Sequence, residues 1–202
     1  MKTRLTRMKA RNVVVETAAA YTDAPMQEFI QSEIAKKTWI YGIIEGSKEA
    51  GQVIFRNSDF IILPDTEGEG EPGILNWVVI FVDRTLTSMR DMRGHHIPML
   101  RSVKEIVASL LPPEFSSPML YWHYVPSTWQ AHLHVYSPCD MLRTTSSMQR
   151  VYFLDDVISN LEIDSNYYQK ATLTYILPSS HEIAQLHNRS SRSWSDDVSC
   201  RG

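Results

Sequence analysis

The sequence predicts an α+β fold, in which an antiparallel sheet carries helices packed on one side. Two patterns support this prediction: the middle of the chain is rich in short apolar runs of strand length, and segments with helical spacing lie apart from those runs. The length agrees with it, because 202 residues with 43% hydrophobic side chains are enough for one well-packed domain. The sequence shows no internal repeat.

The individual elements follow from residue spacing and turn residues. Apolar residues recur at helical intervals in segments that predict helices over residues 24–37, 95–111 and 148–161. Short runs rich in β-branched and aromatic residues predict strands over residues 52–55, 60–63, 77–82, 119–125, 131–136 and 172–177. The run Trp-Ile-Tyr-Gly-Ile-Ile at residues 39–44 predicts the start of a strand or a helix-to-strand transition, and residues 66–73 predict an acidic loop.

Composition excludes several classes of protein. The formal net charge of -3 argues against broad, nonspecific nucleic-acid binding, which needs a large basic surface, but it allows a small nucleotide in a pocket. Cys139 and Cys200 lie far apart and form no disulfide framework, which indicates a reducing compartment. No apolar run approaches the length that crosses a bilayer, so no membrane partner is expected.

The two ends of the chain differ from its middle. Residues 1–14 predict a basic tail that lacks the apolar core of a signal peptide. Residues 187–202 are rich in Ser and Arg and predict a disordered tail. The folded domain is therefore expected over residues 15–186, in a protein of the cytoplasm, the nucleus or both.

The segment Gln-Ala-His-Leu-His-Val-Tyr at residues 130–136 is the most informative one for function. Side chains alternate across a strand, so Gln130, His132, His134 and Tyr136 are predicted to share one face. Three interpretations remain open from this pattern alone. The strand is a surface strand with two unrelated histidines, or a metal site that needs further ligands, or a phosphoryl-transfer site with an imidazole nucleophile.

The residues around this strand favour phosphoryl transfer. His123 and Ser127 precede it closely and could donate hydrogen bonds to phosphate oxygens. Arg150 follows it and could supply the planar fork of donors that suits phosphate.

A resemblance to a known family covers roughly residues 15–180. Residues 121–127 (Tyr-Trp-His-Tyr-Val-Pro-Ser), followed by His-Leu-His-Val at residues 132–135, resemble the scavenger mRNA-decapping enzymes of the histidine-triad superfamily. Further motifs of that family recur in order at residues 39–44, 48–50, 53–55, 63–65, 88–92, 97–100, 160–162, 167–169 and 172–175. The resemblance implies a histidine-triad fold and a catalytic domain over residues 15–186.

The resemblance also implies a reaction. His132 would attack the phosphate that bears the methylated guanosine of an mRNA cap, with His134 as the second catalytic histidine. His123, Ser127 and Arg150 match phosphate-binding positions. The substrate would be a 7-methylguanosine cap dinucleotide or a short capped RNA, the product would be 7-methyl-GMP, and no metal or other cofactor would be needed. The enzyme would be a homodimer.

Three further residues match positions that hold the cap. Trp39 would stack on the methylated base, whose positive charge is attracted to an indole ring. Glu49 would accept hydrogen bonds from the guanine edge, and Asp65 would help to line the pocket. Without the resemblance, Trp39 would be interpreted as a core aromatic residue and Glu49 as a solvated charge.

The chain also departs from the family pattern. Gln130 stands where the first histidine of the triad is expected, Glu67 and Gly68 stand in place of a lysine and a tryptophan, and Thr128 replaces a tyrosine. Little of the family's N-terminal domain fits before residue 15. These departures favour an alternative function, a non-catalytic cap-binding or regulatory paralogue. A third and weaker hypothesis is a dinucleoside-polyphosphate hydrolase that is indifferent to base methylation.

Overall fold

A computed structural model describes residues 10–65, 75–115, 117–137 and 151–187. It shows the predicted α+β class, with helices and two antiparallel sheets. The strands in chain order are β1 (Arg11–Glu16), β2 (Phe55–Arg56), β3 (Phe60–Pro64), β4 (Asn76–Phe81), β5 (Met119–His123), β6 (His132–Tyr136), β7 (Val151–Phe153) and β8 (Leu173–Pro178). The α-helices are α1 (Ala18–Thr22), α2 (Ala24–Lys36), α3 (Trp39–Ile44), α4 (Ile97–Leu110), α5 (Leu154–Ile163), α6 (Tyr167–Lys170) and α7 over residues 182–187.

The chain divides into two compact units, Met1–Phe29 with Thr172–Gly202, and Ile30–Ala171. In the first unit, β1 and β8 form a two-stranded antiparallel sheet. Its buried face includes Val14, Tyr175 and the carboxylate of Glu16, which accepts a 2.8 Å hydrogen bond from the Tyr175 hydroxyl. Residues 11–14, which the sequence assigned to the basic tail, thus belong to a strand. The predicted outer limits of the domain stay a prediction, and residues 188–202 lie outside the described ranges.

The second unit is built on a six-stranded sheet with the order β2-β3-β4-β6-β5-β7. All of its pairings are antiparallel. The strand β6 therefore lies in the interior of the sheet, paired with β4 on one edge and β5 on the other. This arrangement places the histidine strand where its backbone is fixed from both sides.

Three local predictions were wrong in whole or in part. The predicted strand over residues 52–55 is reduced to β2, because Ala50–Gln52 form a 3-10 turn. Within the segment 148–161, the residues Val151–Phe153 form β7 and the helix begins at Leu154, since β-prone residues there pair with the edge of β5. Residues 39–44 form the helix α3, so the start of a strand was wrong there, whereas the alternative of a helix-to-strand transition agrees in its helical part.

The helix α3 is amphipathic, and that explains its place on the sheet. Ile40, Ile43 and Ile44 have the i, i+3, i+4 spacing of one helical face, and they pack in one buried cluster with Ile61 and Leu63 of β3 and with Ile80 of β4. Apolar burial on one side therefore decides helix over strand here, in spite of the β-branched residues.

The C-terminal end of α3 is held by a charged side chain. The guanidinium of Arg56 donates to the backbone carbonyls of Ile43 and Ile44, at 2.6 Å and 2.8 Å. These carbonyls belong to the last turn, where a helix leaves its acceptors without partners inside the helix. Gly46, with a φ of 78°, follows the helix and lets the chain reverse.

The strand register defines the face on which α3 lies. Ile80 is opposite His132 and Val78 is opposite His134, so these histidines share a face with the apolar side chains under α3. The side chains of Leu133 and Val135 point to the other face and are fully buried. The helix thus covers one part of the histidine face and leaves His132 and His134 beside it. In the described part of the chain, no helix is both long and apolar enough to span a bilayer.

Candidate functional site

An open groove lies beside α3 on the histidine face of the sheet. It encloses about 590 Å³, with its solvent-open side included. Its apolar floor and walls are formed by Ile40, Ile43, Leu63, Pro64, Val78 and Ile80. Its chemically active lining consists of Trp39, Glu49, Asp65, Ser127, Thr128, His132 and His134. Most of the residues singled out from the sequence therefore line one groove within one unit of the chain.

His132 is held in one orientation by the backbone. Its Nδ1 lies 2.7 Å from the carbonyl oxygen of Gln130, and the side chain is only 9% exposed. A carbonyl can only accept, so this contact is a hydrogen bond when Nδ1 carries the proton. In the neutral ring that tautomer leaves the lone pair on Nε2.

Burial keeps the His132 ring neutral. Removal from water lowers its pKa to about 4, and the nearby His134 and Lys37 act in the same direction. The Gln130 carbonyl and the Asp65 carboxylate oppose this effect but do not outweigh it. At neutral pH the ring is therefore uncharged, as a nucleophile must be.

Three imidazole rings form a cluster at this end of the groove. The centroid of His134 is 5.3 Å from that of His132 and 4.4 Å from that of His123. The ring of Tyr121 stacks on His134 with a centroid distance of 5.5 Å and an interplanar angle of 19°. His123 adjoins the cluster through His134, although it is not part of the groove lining. The cluster can offer several N–H donors to one anionic group.

Asp65 lines the groove and also contacts His134. Its Oδ2 is 3.3 Å from Nδ1 of His134, and both side chains are largely buried. A carboxylate at this distance can help to fix the orientation of the imidazole ring. The sequence had linked Asp65 only to the cap pocket, so this contact was missed.

Trp39 and Glu49 border the other part of the groove. Trp39 is 44% exposed, so the interpretation of this residue as a core aromatic was wrong and its indole is accessible in the groove. Glu49 has a φ of 54°, which places a non-glycine residue in the left-handed region at the start of a 3-10 turn. Such strain is often found where a side chain is held for function.

Ser127 and Thr128 complete the lining next to His132. Near them lies Lys37, whose ammonium donates to the backbone carbonyl of Ser127. Nothing in the sequence patterns singled out Lys37, because a lysine that follows another lysine at a helix end looks like ordinary solvated charge. Arg150 and Glu67 lie outside the described residues.

Gln130 stands where the family pattern expects the first histidine of the triad, and its side chain is hydrogen-bonded to the backbone. It is 1% exposed, and its amide Nε2 donates to the carbonyls of Phe81 and Asp83, at 2.8 Å and 3.0 Å. The backbone carbonyl of Gln130 orients His132. The residue therefore ties the end of β4 to the start of β6. The strand itself begins at His132.

The part of the chain that the structure describes contains no set of ligands for a metal ion. No group of three His, Cys, Asp or Glu side chains there is arranged to hold one ion.

Comparison with known proteins gives consistent matches. The family model described as "Scavenger mRNA decapping enzyme C-term binding" matches residues 38–149. The m7GpppX diphosphatase of Rattus norvegicus is 28% identical over 167 residues, covering 78% of this chain and 49% of that protein. The m7GpppX diphosphatase of Bos taurus is 27% identical over 191 residues, covering 90% of this chain and 56% of that protein. The chain thus spans about half the length of these curated relatives.

Solved structures show a weaker likeness. The aprataxin ortholog Hnt3 from Schizosaccharomyces pombe has a TM-score of 0.43 and 14% identity, covering 77% of this chain and 91% of that one. The structure described as Hnt3 in complex with DNA and guanosine has a TM-score of 0.41 and 14% identity, covering 79% of this chain and 96% of that one. A likeness at this level carries no conclusion about this chain.

Proposed function

We propose a function from the premise that this chain belongs to the scavenger mRNA-decapping family of histidine-triad proteins. In this proposal, the chain hydrolyses the 5′–5′ triphosphate of methylated caps. The substrates are 7-methylguanosine cap dinucleotides or short capped RNA, and one product is 7-methyl-GMP. The observation that carries this proposal is the groove, which joins an accessible indole and a carboxylate to a buried neutral imidazole.

The first step uses the lone pair on Nε2 of His132. This nitrogen attacks the phosphorus next to the methylated nucleoside, a P–N bond forms, and the P–O bond to the leaving diphosphate breaks. The ring gains positive charge as the bond forms, and the Gln130 carbonyl at Nδ1 stabilises that charge. Water then cleaves the P–N bond and releases 7-methyl-GMP, and the ring returns to its neutral state.

The neighbouring groups stabilise the phosphate during both displacements. His134, with Asp65 beside it, donates a proton or a hydrogen bond to the oxygens that carry the developing charge. His123 and Ser127 donate to non-bridging oxygens, and Arg150 is assigned the same role by the family pattern alone. No metal or other cofactor takes part in this scheme.

The base is recognised at the other part of the groove. Methylation at N7 makes guanine cationic, and a cation over an indole gains about 0.5–2 kcal/mol. Trp39 has the exposure that such stacking needs, and Glu49 can accept hydrogen bonds from the guanine edge. These two contacts would separate methylated caps from other dinucleoside polyphosphates.

The test is a product assay with the pure chain. We expect a methylated cap dinucleotide to yield 7-methyl-GMP on chromatography, and the His132→Asn variant to yield none, because an amide cannot replace the nucleophile. The unmethylated dinucleotide is the matched substrate control, and equal turnover of both would favour the methylation-indifferent hydrolase. Failure of the wild-type chain to exceed His132→Asn would refute the catalytic proposal.

A cap-binding module without turnover is the second candidate. It is favoured by Gln130, because this residue has no imidazole and its side-chain amide donates to the backbone carbonyls of Phe81 and Asp83. Quenching of tryptophan fluorescence by the methylated dinucleotide, lost in Trp39→Ala and accompanied by no product, would support it. We also propose a homodimer, by analogy with the family, and light scattering on the purified chain would test this.

A further inference from the structure

The groove has an excess of negative charge among its described residues. Its lining includes the carboxylates of Glu49 and Asp65, and none of the described lining residues is a lysine or an arginine. A cap dinucleotide brings a triphosphate into the same space. Like charges repel where water is partly excluded, so a cation close to the groove would favour the binding of a triphosphate.

Among the described residues, Lys37 is a cation that lies close to this groove. Its ammonium donates to the backbone carbonyl of Ser127, and Ser127 lines the groove beside Thr128 and His132. The lysine side chain is half-buried, and one residue, Thr38, separates Lys37 from the start of α3. The segment that positions Trp39 for the base therefore also positions Lys37 near the phosphates.

The charge of Lys37 acts at the nucleophile. It is one of the groups that lower the pKa of His132, so its field extends to that ring. An ammonium has three donors, of which the Ser127 carbonyl uses one. The others can be directed to oxygens of a ligand that lies over His132 without loss of the existing contact.

We propose that Lys37 is a phosphate-binding residue of this groove, which donates to a non-bridging oxygen of the cap triphosphate while it remains against the Ser127 carbonyl. This inference rests on the proposed function, because it takes the cap as the ligand. It assigns to Lys37 a role in compensating the charge of Glu49 and Asp65. The residue acts on substrate binding and does not take part in bond making.

The experiment compares three methylated ligands: a nucleoside without phosphate, its monophosphate, and a cap dinucleotide that carries a triphosphate and a second nucleoside. Fluorescence titrations of the full chain are made with 7-methylguanosine, 7-methyl-GMP and the methylated cap dinucleotide. For Lys37→Gln we expect the affinity for the dinucleotide to fall about tenfold or more, which corresponds to ~1.4 kcal/mol. The affinity for 7-methylguanosine, which has no phosphate, stays unchanged, and Lys37→Arg retains most of the dinucleotide affinity.

Lys36 provides the matched control. It is the adjacent lysine, it is 62% exposed, and it pairs with Glu33 at 2.7 Å on the surface of α2. Lys36→Gln should leave all three affinities unchanged, and thermal unfolding of each variant shows whether the fold is retained.

Two results would overturn the inference while leaving the proposed function intact. One is a Lys37→Gln variant that binds the dinucleotide as tightly as the wild-type chain does. The other is an equal loss of affinity for the nucleoside and the dinucleotide, which would indicate a structural role for Lys37. A wild-type chain that binds no methylated ligand would instead overturn the proposed function, and this inference with it.

Discussion

The buried ring of His132 should make the stability of the protein depend on pH. In the unfolded chain the imidazole binds a proton below its ordinary pKa of 6.5, whereas in the folded chain burial lowers that pKa to about 4. Between these values the unfolded state binds more protons, so the free energy of unfolding decreases as the pH falls through this window. The full difference corresponds to roughly 3 kcal/mol, lost by the time the pH is below about 4.

The His132→Asn variant isolates this contribution. Its side-chain amide can still donate to the Gln130 carbonyl, but it does not titrate. Between about pH 7 and pH 5, we expect the wild-type chain to lose about 2 kcal/mol more stability than the variant loses. Other histidines with lowered pKa values, such as His96 and His187, are common to both proteins and cancel in the comparison.

Urea unfolding at both pH values measures the two losses directly. A titration of the His132 ring by NMR provides an independent check on the same pKa. The reasoning is refuted if wild type and variant lose the same stability on acidification. It is also refuted if the ring titrates at its ordinary value, since burial would then not hold it neutral.

Three further predictions concern Trp39, Glu49 and the anchoring of α3. Trp39→Leu keeps an apolar contact but removes the indole, so affinity for the methylated cap should fall by about 0.5–2 kcal/mol in calorimetry; an unchanged affinity contradicts stacking. Glu49→Gly relieves the left-handed backbone, so unfolding free energy should stay within about 1 kcal/mol while cap affinity falls, and retained affinity would contradict the assigned role. Arg56→Met removes the hydrogen bonds to the carbonyls of Ile43 and Ile44, so the free energy of unfolding in urea should fall by about 1–2 kcal/mol. An unchanged free energy of unfolding would contradict the role of Arg56 in holding the end of α3.

The histidine strand could be predicted from the sequence because its pattern is local. Alternation of apolar and polar residues defines the face of the sheet on which each side chain of β6 lies, and the register with β4 agrees with it for His132, Leu133 and His134. The hydrogen bonds of the Gln130 side chain could not be predicted in the same way. The engagement of the Gln130 side chain with residues on another strand is a tertiary contact, and alternation contains no information about it.

The helix α3 shows a different limit of the sequence. Its isoleucines favour a strand by propensity, and only the presence of Ile61, Leu63 and Ile80 beneath them makes a helix the better way to bury them. The exposure of Trp39 follows from that packing, because the helix turns its isoleucines toward the sheet. Lys37 was missed for a related reason, since its significance depends on the Ser127 carbonyl, which is distant in the sequence.

The interior position of β6 has a consequence for how the groove responds to fluctuations. A strand hydrogen-bonded along both edges opens only when the sheet itself comes apart, whereas a helix of six residues can fray on its own. Amide exchange with deuterium should therefore be slow around His134 and much faster in the segment that carries Trp39. If the proposed function holds, the attacking group lies on a rigid strand, and the base is bound by a segment that can open to admit and release it.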